Sequence, residues 1–123
     1  GGIAYVLDEK GDLDSRLNKE MVELEAIKAD PALMFKLAKP RPEDANTPLA
    51  DVMLDMREQD AERLHALLSR HAHYTNSAKA QMILNNFETY LPKFRKVMPT
   101  EYRRALTDLA KARDTEKPAA RAQ

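Results

Sequence analysis

The placement of proline constrains the fold of this chain most strongly, because proline fixes the backbone angle φ and lacks the N–H group that helices and sheets use. Pro40, Pro42 and Pro48 lie close together and interrupt any regular element there. We therefore predict that residues 39–48 form an exposed, extended linker. This linker belongs to a proline-rich connector, residues 26–51, which separates a β-like N-terminal part from a helical C-terminal part.

The N-terminal residues 1–25 have the residue types of β-strands. Ile3–Leu7 is a short apolar run of strand-forming residues. Residues 21–25 alternate between apolar and polar side chains, as a half-buried strand does. Gly1 and Gly2 are typical of the end of a tight turn. We therefore expect residues 1–25 to end a longer β-structure, whose earlier strands would pair with the otherwise open edge of Ile3–Leu7.

Residues 52–113 are predicted to form a helical tail of about three helices. The first lies between about residues 49 and 74, and one of its faces carries an apolar stripe of Leu64, Leu67, Leu68 and His71. Asn76 suits the left-handed position that ends a helix, and Ser77 can cap the next one. The second helix is predicted to bury Ala80, Ile83, Leu84 and Phe87.

Caps and prolines set the remaining boundaries. Asp30 can cap a short helix that precedes the linker. Pro92 ends the second helix of the tail, residues 93–98 form an extended bridge, and Pro99 suits the first turn of the third helix. The polar residues 114–123 are predicted to be a disordered tail.

The composition argues against several functional classes. Lys and Arg total 20, Asp and Glu total 20, and the formal net charge is zero, whereas nucleic-acid-binding domains usually carry a basic excess. The 123 residues include no Cys, so the chain supplies no disulfide, thiolate zinc site or iron–sulfur ligand. Gly occurs 3 times, too rarely for a phosphate-binding glycine loop. The apolar stretches are too short to cross a membrane.

The three histidines are not spaced as metal ligands. His71 and His73 would point about 200° apart on a helix, and His65 and His71 also point to different faces. We therefore predict no catalytic, cofactor-binding or metal-binding residue in this chain. Since His71 lies on the leucine stripe, we expect it to be a hydrogen-bonded residue at the edge of the core.

The sharpest local feature is a basic strip with interleaved aromatic side chains, which we predict to contact a partner. The strip consists of Lys93, Phe94, Arg95, Lys96, Tyr102, Arg103 and Arg104. In one interpretation Phe94, Val97 and Tyr102 pack inward, while the cations point outward towards an acidic surface. In the other, the strip binds RNA or single-stranded DNA weakly through charge and stacking.

Two stretches of the sequence resemble the C-terminal part of the large (alpha) subunit of glutamate synthase. They are GGIAYVLDEKGDLDSRLNKEMVELE and HALLSRHAHYTNSAKAQMILNNFETYLPKFRKVMPTEYRRAL. The resemblance rests on the order of several unusual strings, including His71, the turn at residues 75–77 and the segment from Pro92 to Tyr102. Asn76 stands where the family usually has Gly, a tolerable exchange because both residues enter the left-handed region.

This resemblance implies a fold and a context. Residues 1–25 would be the last strands of a right-handed β-helix, in the glycine-rich C-terminal domain, and a small helical tail would follow. The complete family enzyme makes glutamate from glutamine and 2-oxoglutarate, with NADPH or ferredoxin as the reductant. It uses FMN and a 3Fe-4S cluster, and its small (beta) subunit supplies FAD and 4Fe-4S. None of the family's catalytic motifs lies in these residues, so the resemblance implies no bound cofactor here.

We therefore expect a non-catalytic structural segment that contacts the rest of the large subunit and the small subunit. A cytoplasmic location follows from the resemblance, and no membrane partner is expected. One alternative is a free-standing helical module that binds another protein through the basic strip or a Met-bearing helix. A second alternative is a weak nucleic-acid binder that uses the strip between Lys93 and Arg104.

Overall fold

A computed structural model describes residues 2–38, 42–46, 48–53 and 55–121. The fold is mostly helical, with one small antiparallel sheet. In chain order the elements are β1 (Ala4–Leu7), α1 (Leu13–Arg16), β2 (Val22–Ala26), α2 (Pro31–Leu37), a 3-10 turn (Pro42–Asn46), α3 (Leu49–Val52), α4 (Asp60–Thr75), α5 (Ala78–Asn85), α6 (Phe87–Tyr90), a second 3-10 turn (Leu91–Lys93), β3 (Phe94–Pro99) and α7 (Thr100–Arg121).

The sheet contains three strands in the order β1–β3–β2. Both outer strands run antiparallel to β3, with Leu7 opposite Phe94 and Leu24 opposite Val97. Along β3 the buried residues alternate with half-buried ones, because successive side chains of a strand point to opposite faces. The buried positions belong to the face that packs on the helices.

The core lies between that face of the sheet and helices α4 and α5. Its buried residues are Ile27, Leu37, Ala61, Leu64, Ile83, Phe87, Leu91 and Phe94. Phe87 is only 1% exposed, and an aromatic side chain so fully buried contributes strongly to the hydrophobic stabilisation of a small domain. The predicted burial of Ala80, Ile83, Leu84 and Phe87 is confirmed.

Three predicted helix boundaries are also confirmed. The carboxylate of Asp30 caps α2 by accepting a hydrogen bond from the Leu33 N–H at 2.7 Å. Asn76 ends α4 in the left-handed region, with φ at 53°. The next residue, Ser77, caps α5 through its hydroxyl oxygen, which accepts from the Ala80 N–H at 3.2 Å.

The extended bridge predicted for residues 93–98 is instead the central strand of the sheet. It pairs with one edge of β1, so Ile3–Leu7 has a strand neighbour within this chain, while the other edge of β1 has no strand partner among the described residues. The described strands pair antiparallel within this chain, and the β-helix implied by the resemblance is not seen among them. Pro99 is accordingly the last residue of β3 rather than a first-turn residue of α7.

Other helical predictions need correction. The single helix expected between residues 49 and 74 is two helices, α3 and α4. Between them, Asp55 and Glu58 direct their carbonyl oxygens to the buried Arg63. Helix α7 continues through Arg121, where a disordered tail was predicted. Part of the linker predicted for residues 39–48 is a 3-10 turn, Pro42–Asn46, while residues 39–41 and 47 lie outside the described residues.

Gln59 gives a stability prediction, because its φ of 61° lies in the left-handed region that favours glycine. An L-residue loses about 1–2 kcal/mol there, whereas glycine loses about 0.5–1 kcal/mol of extra chain entropy. We expect Gln59→Gly to raise the free energy of unfolding by up to about 1 kcal/mol, measured by urea titration. The control is Gln81→Gly on the exposed side of α5, which should lower it by about 1 kcal/mol. A loss of stability in both variants would contradict the prediction.

Candidate functional site

The main polar site is a cluster of four side chains from β1, α4 and β3, here called the ionic hub: the half-buried Tyr5 and Asp60 and the buried Arg63 and Lys96. Arg63 and Lys96 are each 0% exposed, which is rare for these residue types. Burying two cations is unfavourable unless each is hydrogen-bonded and paired with a carboxylate. The geometry of the hub meets both conditions.

Arg63 uses all five of its N–H donors. Three of its hydrogen bonds go to backbone carbonyl oxygens in the turns before α4: Val52 O at 2.8 Å, Asp55 O at 2.9 Å and Glu58 O at 2.7 Å. Its Nη1 donates to Tyr5 Oη at 2.7 Å and to Asp60 Oδ1 at 3.1 Å. Arg63 therefore bonds the backbone at Val52, Asp55 and Glu58 to α4.

Asp60 is the shared anion of the hub. Lys96 Nζ lies 3.0 Å from Asp60 Oδ1 and also donates to Met56 O at 2.8 Å. The Tyr5 hydroxyl donates to Asp60 Oδ1 at 2.7 Å. Asp60 is also the first residue of α4, where the helix dipole favours a negative charge.

Tyr5 links the sheet to the hub. Burial raises its pKa well above 10.0, and its hydrogen bond to the Asp60 carboxylate raises the pKa further. The phenol is therefore neutral at physiological pH and acts as a donor to Asp60 and an acceptor from Arg63. Such a group fixes geometry rather than transferring protons near neutral pH.

A second ion pair lies just outside the hub and gives a pH prediction. Hydrogen bonds from the Arg57 guanidinium to Asp55 lower the pKa of that carboxyl from 3.8 to about 2. A depressed folded-state pKa stabilises the fold above the unfolded value, and this stabilisation is lost as pH falls from about 4 towards 2. We expect Asp55→Asn to make the free energy of unfolding less sensitive to acid, measured by urea titration at several pH values.

The control for this experiment is Asp14→Asn at an exposed ion pair with Lys19. Exposed pairs contribute little to stability, so this variant should keep the acid sensitivity of the parent chain. An Asp55→Asn chain with unchanged acid sensitivity would contradict the prediction.

The structure divides the predicted basic strip. Phe94 is 4% exposed and Lys96 is 0% exposed, so neither side chain can contact a partner as the strip requires. The burial of Lys96 also contradicts the expectation that all cations of the strip point outward. Arg95 donates to the carbonyl oxygens of Pro92 and Phe94, and Arg103 is paired with glutamates of β2. With an aromatic residue and a cation removed, the strip offers less for nucleic acid to bind.

Of the other members of the strip, Tyr102 and Arg104 lie near the junction of β3 and α7, whereas Lys93 lies at the opposite end of β3. Lys93 Nζ lies 5.2 Å from the centre of the Tyr90 ring, at the exposed end of the second 3-10 turn. Tyr102 is half-buried and Arg104 is exposed on α7. Tyr102 and Arg104 flank Arg103, which is paired with Glu23 and Glu25.

The histidines also differ from the prediction. His71 is exposed, so it is not a core-edge residue, whereas His65 is buried with its ring 5.0 Å from Phe87 in an edge-to-face contact. The histidine at the core is therefore His65, and the prediction that it would be His71 is wrong. No group of three or more potential metal ligands was found among the described residues.

Sequence reasoning missed the ionic hub. A period-two pattern could have revealed Lys96, because in a strand it shares a face with Phe94 and Met98. The spacing of Asp60 and Arg63 on α4 is that of a helical ion pair. The role of Arg63 as a donor to three carbonyl groups has no local sequence signal, because it depends on where the backbone of Val52, Asp55 and Glu58 lies.

A cleft of about 350 Å³ lies beside the hub, between the start of β1 and helix α4. Most of its lining is apolar, including Ile3, Met53 and Leu67. The polar atoms of Arg63 and Tyr5 that border the cleft already bond to other groups of the hub. The lining therefore contains no arrangement of nucleophile and general base.

Comparison with known families now identifies the relatives of this fold. A family model described as the GXGXG motif matches residues 32–100, which is more than half of the chain. This chain belongs to the GXGXG motif family. The matched segment contains Asp60, Arg63 and Lys96 of the hub but no glycine.

Curated relatives point to the same family. The chain is 31% identical over 106 residues to "Glutamate synthase (NADH)" of Schizosaccharomyces pombe, 86% of this chain and 4% of that protein. It is 32% identical over 109 residues to "Glutamate synthase (NADPH) large chain" of Bacillus subtilis, 89% of this chain and 5% of that protein. It is 30% identical over 99 residues to "Ferredoxin-dependent glutamate synthase 2" of Synechocystis, 80% of this chain and 5% of that protein.

These matches confirm the resemblance to glutamate synthase. The chain spans only 4–5% of the length of these curated relatives, so most of each relative lies outside the matched region. Within the described ranges, no helix of this GXGXG family member combines the length and apolarity needed to cross a bilayer.

Proposed function

We propose that this chain is a non-catalytic structural segment of a glutamate synthase large subunit. The observation that carries the proposal is the ionic hub, in which the buried polar groups bind one another and the backbone. Arg63 has no donor left for a substrate, and the Tyr5 phenol is neutral. A site built in this way stabilises a fold, whereas a catalytic site leaves groups directed at a substrate.

We further propose that the segment adjoins a β-helix at the C-terminal end of that subunit. The sheet order β1–β3–β2 leaves one edge of β1 without a strand partner among the described residues. An open edge can accept another strand through its free N–H and C=O groups. This edge supports the proposal that β1 adds to the last coil of a β-helix.

The chemistry of the complete protein would then lie in other parts of its chain. In this proposal the whole enzyme makes glutamate from glutamine and 2-oxoglutarate in the cytoplasm, with NADPH or ferredoxin as the reductant. FMN and the 3Fe-4S cluster would be held elsewhere in the large subunit, and FAD and 4Fe-4S in the small subunit. Lys93, Tyr102 and Arg104 are the members of the basic strip that remain available for contact with either subunit.

The proposal is tested with a hybrid protein in which this chain replaces the matched segment of the Bacillus subtilis large chain. We expect the isolated chain to form no glutamate and the hybrid, with its small subunit supplied, to form it. Variants of the hub should reduce the folded fraction of the hybrid without changing turnover per folded molecule. His71→Ala and His73→Ala are control variants of exposed groups, and we expect both to fold and turn over normally. Any of these variants that folded normally but lost turnover would contradict a purely structural role.

A further inference from the structure

The two faces of the sheet have opposite chemical character. Paired residues of antiparallel strands point to the same face of the sheet, so the register shows which of the two faces each strand residue occupies. The inner face, towards the helices, carries Tyr5, Leu7, Glu23, Glu25, Phe94, Lys96 and Met98. The outer sheet face carries Ala4, Val6, Val22, Leu24, Ala26, Arg95, Val97 and Pro99.

This distribution reverses the usual pattern of a two-layer fold. An antiparallel sheet with one face in water normally places polar residues on that face. Here the charged residues Glu23, Glu25 and Lys96 point inward, where Arg103 and the hub pair with them. The outer sheet face has a single charged residue, Arg95, and its other members are apolar.

The outer sheet face is not part of the core of this chain. Among the described residues, none of its eight members is buried, and neither hydrophobic core cluster includes any of them. The loop before α1 approaches only one end, where Val6 and Leu13 line the same cleft. The centre of the face, at Val97 between Ala4 and Leu24, is therefore available for packing.

We propose that the outer sheet face docks against an apolar β-sheet surface of the remaining large-subunit polypeptide, an inference that rests on the function proposed above. The occupant is a sheet, because a second sheet can lie about 10 Å above a flat pleated surface and interdigitate its side chains. The occupant carries no charge opposite Arg95, because that guanidinium already bonds to the carbonyl oxygens of Pro92 and Phe94.

The size of the face favours an occupant in the same polypeptide over a second copy of this chain. The longest strand has 6 residues, so the face measures roughly 20 Å along the strands and 10–15 Å across them. That area, roughly 300 Å², is well below the ~800 Å² per partner of a stable interface between separate chains. A covalently linked partner needs less area, because its effective concentration is already high. The relatives offer such a partner, since the match covers only 4–5% of their length.

The first part of the test uses the isolated chain. Val97→Lys should change its melting temperature by less than about 4 °C, because Val97 is only half-buried and belongs to neither core cluster. Met98→Lys, one residue along on the inner face, should abolish the cooperative transition because Met98 is 0% exposed. Val97→Thr keeps the β-branched shape and controls for strand propensity. Light scattering should show a monomer.

The second part uses the hybrid large chain described above, with the same substitutions. Val97→Lys should now increase the rate of proteolysis within this segment by about tenfold or more, because a charge would be buried against the docked sheet. Val97→Thr should have a much smaller effect. Met82→Lys is the matched control, since Met82 is 41% exposed on α5, away from the sheet.

Each outcome decides the proposal. A Val97→Lys variant that is harmless in both the isolated chain and the hybrid overturns the docking face and leaves the structural function standing. One that unfolds the isolated chain shows that the face is already packed, which also overturns the proposal. A dimer of the isolated chain that Val97→Lys dissociates would identify a second copy as the occupant. Failure of the parent hybrid to fold would overturn the proposed function itself.

Discussion

Arg63→Met is expected to lower the free energy of unfolding by about 3–5 kcal/mol, because breaking a buried ion pair leaves groups that nothing else solvates. The substitution preserves most of the side-chain length but removes all five donors. The carbonyl groups of Val52, Asp55 and Glu58 would lose the Arg63 donor, and Asp60 would lose one of its two cations. The total free energy of unfolding of a small domain is about 5–15 kcal/mol, so this one substitution removes a large share of it.

Urea titration and thermal melting would measure this effect, with an expected fall in melting temperature on the order of 10–20 °C. Arg16→Met is the control, because the Arg16 side chain is 66% exposed in its pair with Asp12. Exposed pairs contribute at most about 1 kcal/mol. If the two variants lost equal stability, the assignment of Arg63 as the central donor of the fold would be wrong.

Asp60→Asn is expected to lower the free energy of unfolding by a similar amount, because it removes the negative charge that the buried cations need. It removes the only carboxylate of the hub, while the fully buried cations Arg63 and Lys96 remain. An uncompensated charge in the interior costs about 3–5 kcal/mol. We therefore expect a loss of that magnitude at neutral pH, measured by urea titration.

A double variant distinguishes charge from packing at this position. Lys96→Met combined with Asp60→Asn removes one cation together with the anion, so part of the lost stability should return. Because these residues are in contact, the coupling free energy should exceed about 1 kcal/mol in a double-mutant cycle followed by urea titration. Additive losses would show that the two side chains stabilise the fold independently.

The parts of the fold that sequence could predict are local. The cap at Asp30, the left-handed residue Asn76 and the cap at Ser77 depend on a few neighbouring residues, and each is confirmed. The buried positions of α5 follow from helical periodicity, which is also a local property. The resemblance to glutamate synthase depends on the order of longer strings, and it too is confirmed.

The parts that sequence could not predict depend on distant residues. Residues 93–98 have an extended pattern, but their position at the centre of the sheet depends on strands near the N-terminus. Lysine is usually found at the surface, and the pairing of Lys96 with Asp60 offsets the free-energy cost of burying its charge. Arg63 donates to the carbonyl groups of Val52, Asp55 and Glu58, which precede α4, and no local pattern specifies these contacts. These non-local pairings decide which basic residues reach the surface.

The central position of β3 has a consequence for synthesis of the chain. Leu7 and Phe94 are paired although they are 87 residues apart, so β1 and β2 leave the ribosome long before their common partner exists. At about 5–20 residues per second, that interval lasts roughly 4–17 s. During this time β1 and β2, with their apolar residues Val6, Val22 and Leu24, have no strand to pair with. Nascent α4 and α5 can form first because their contacts are local, whereas the sheet can form only after β3 has been synthesised. Until then, β1 and β2 are the strands most exposed to chaperones and to misassociation.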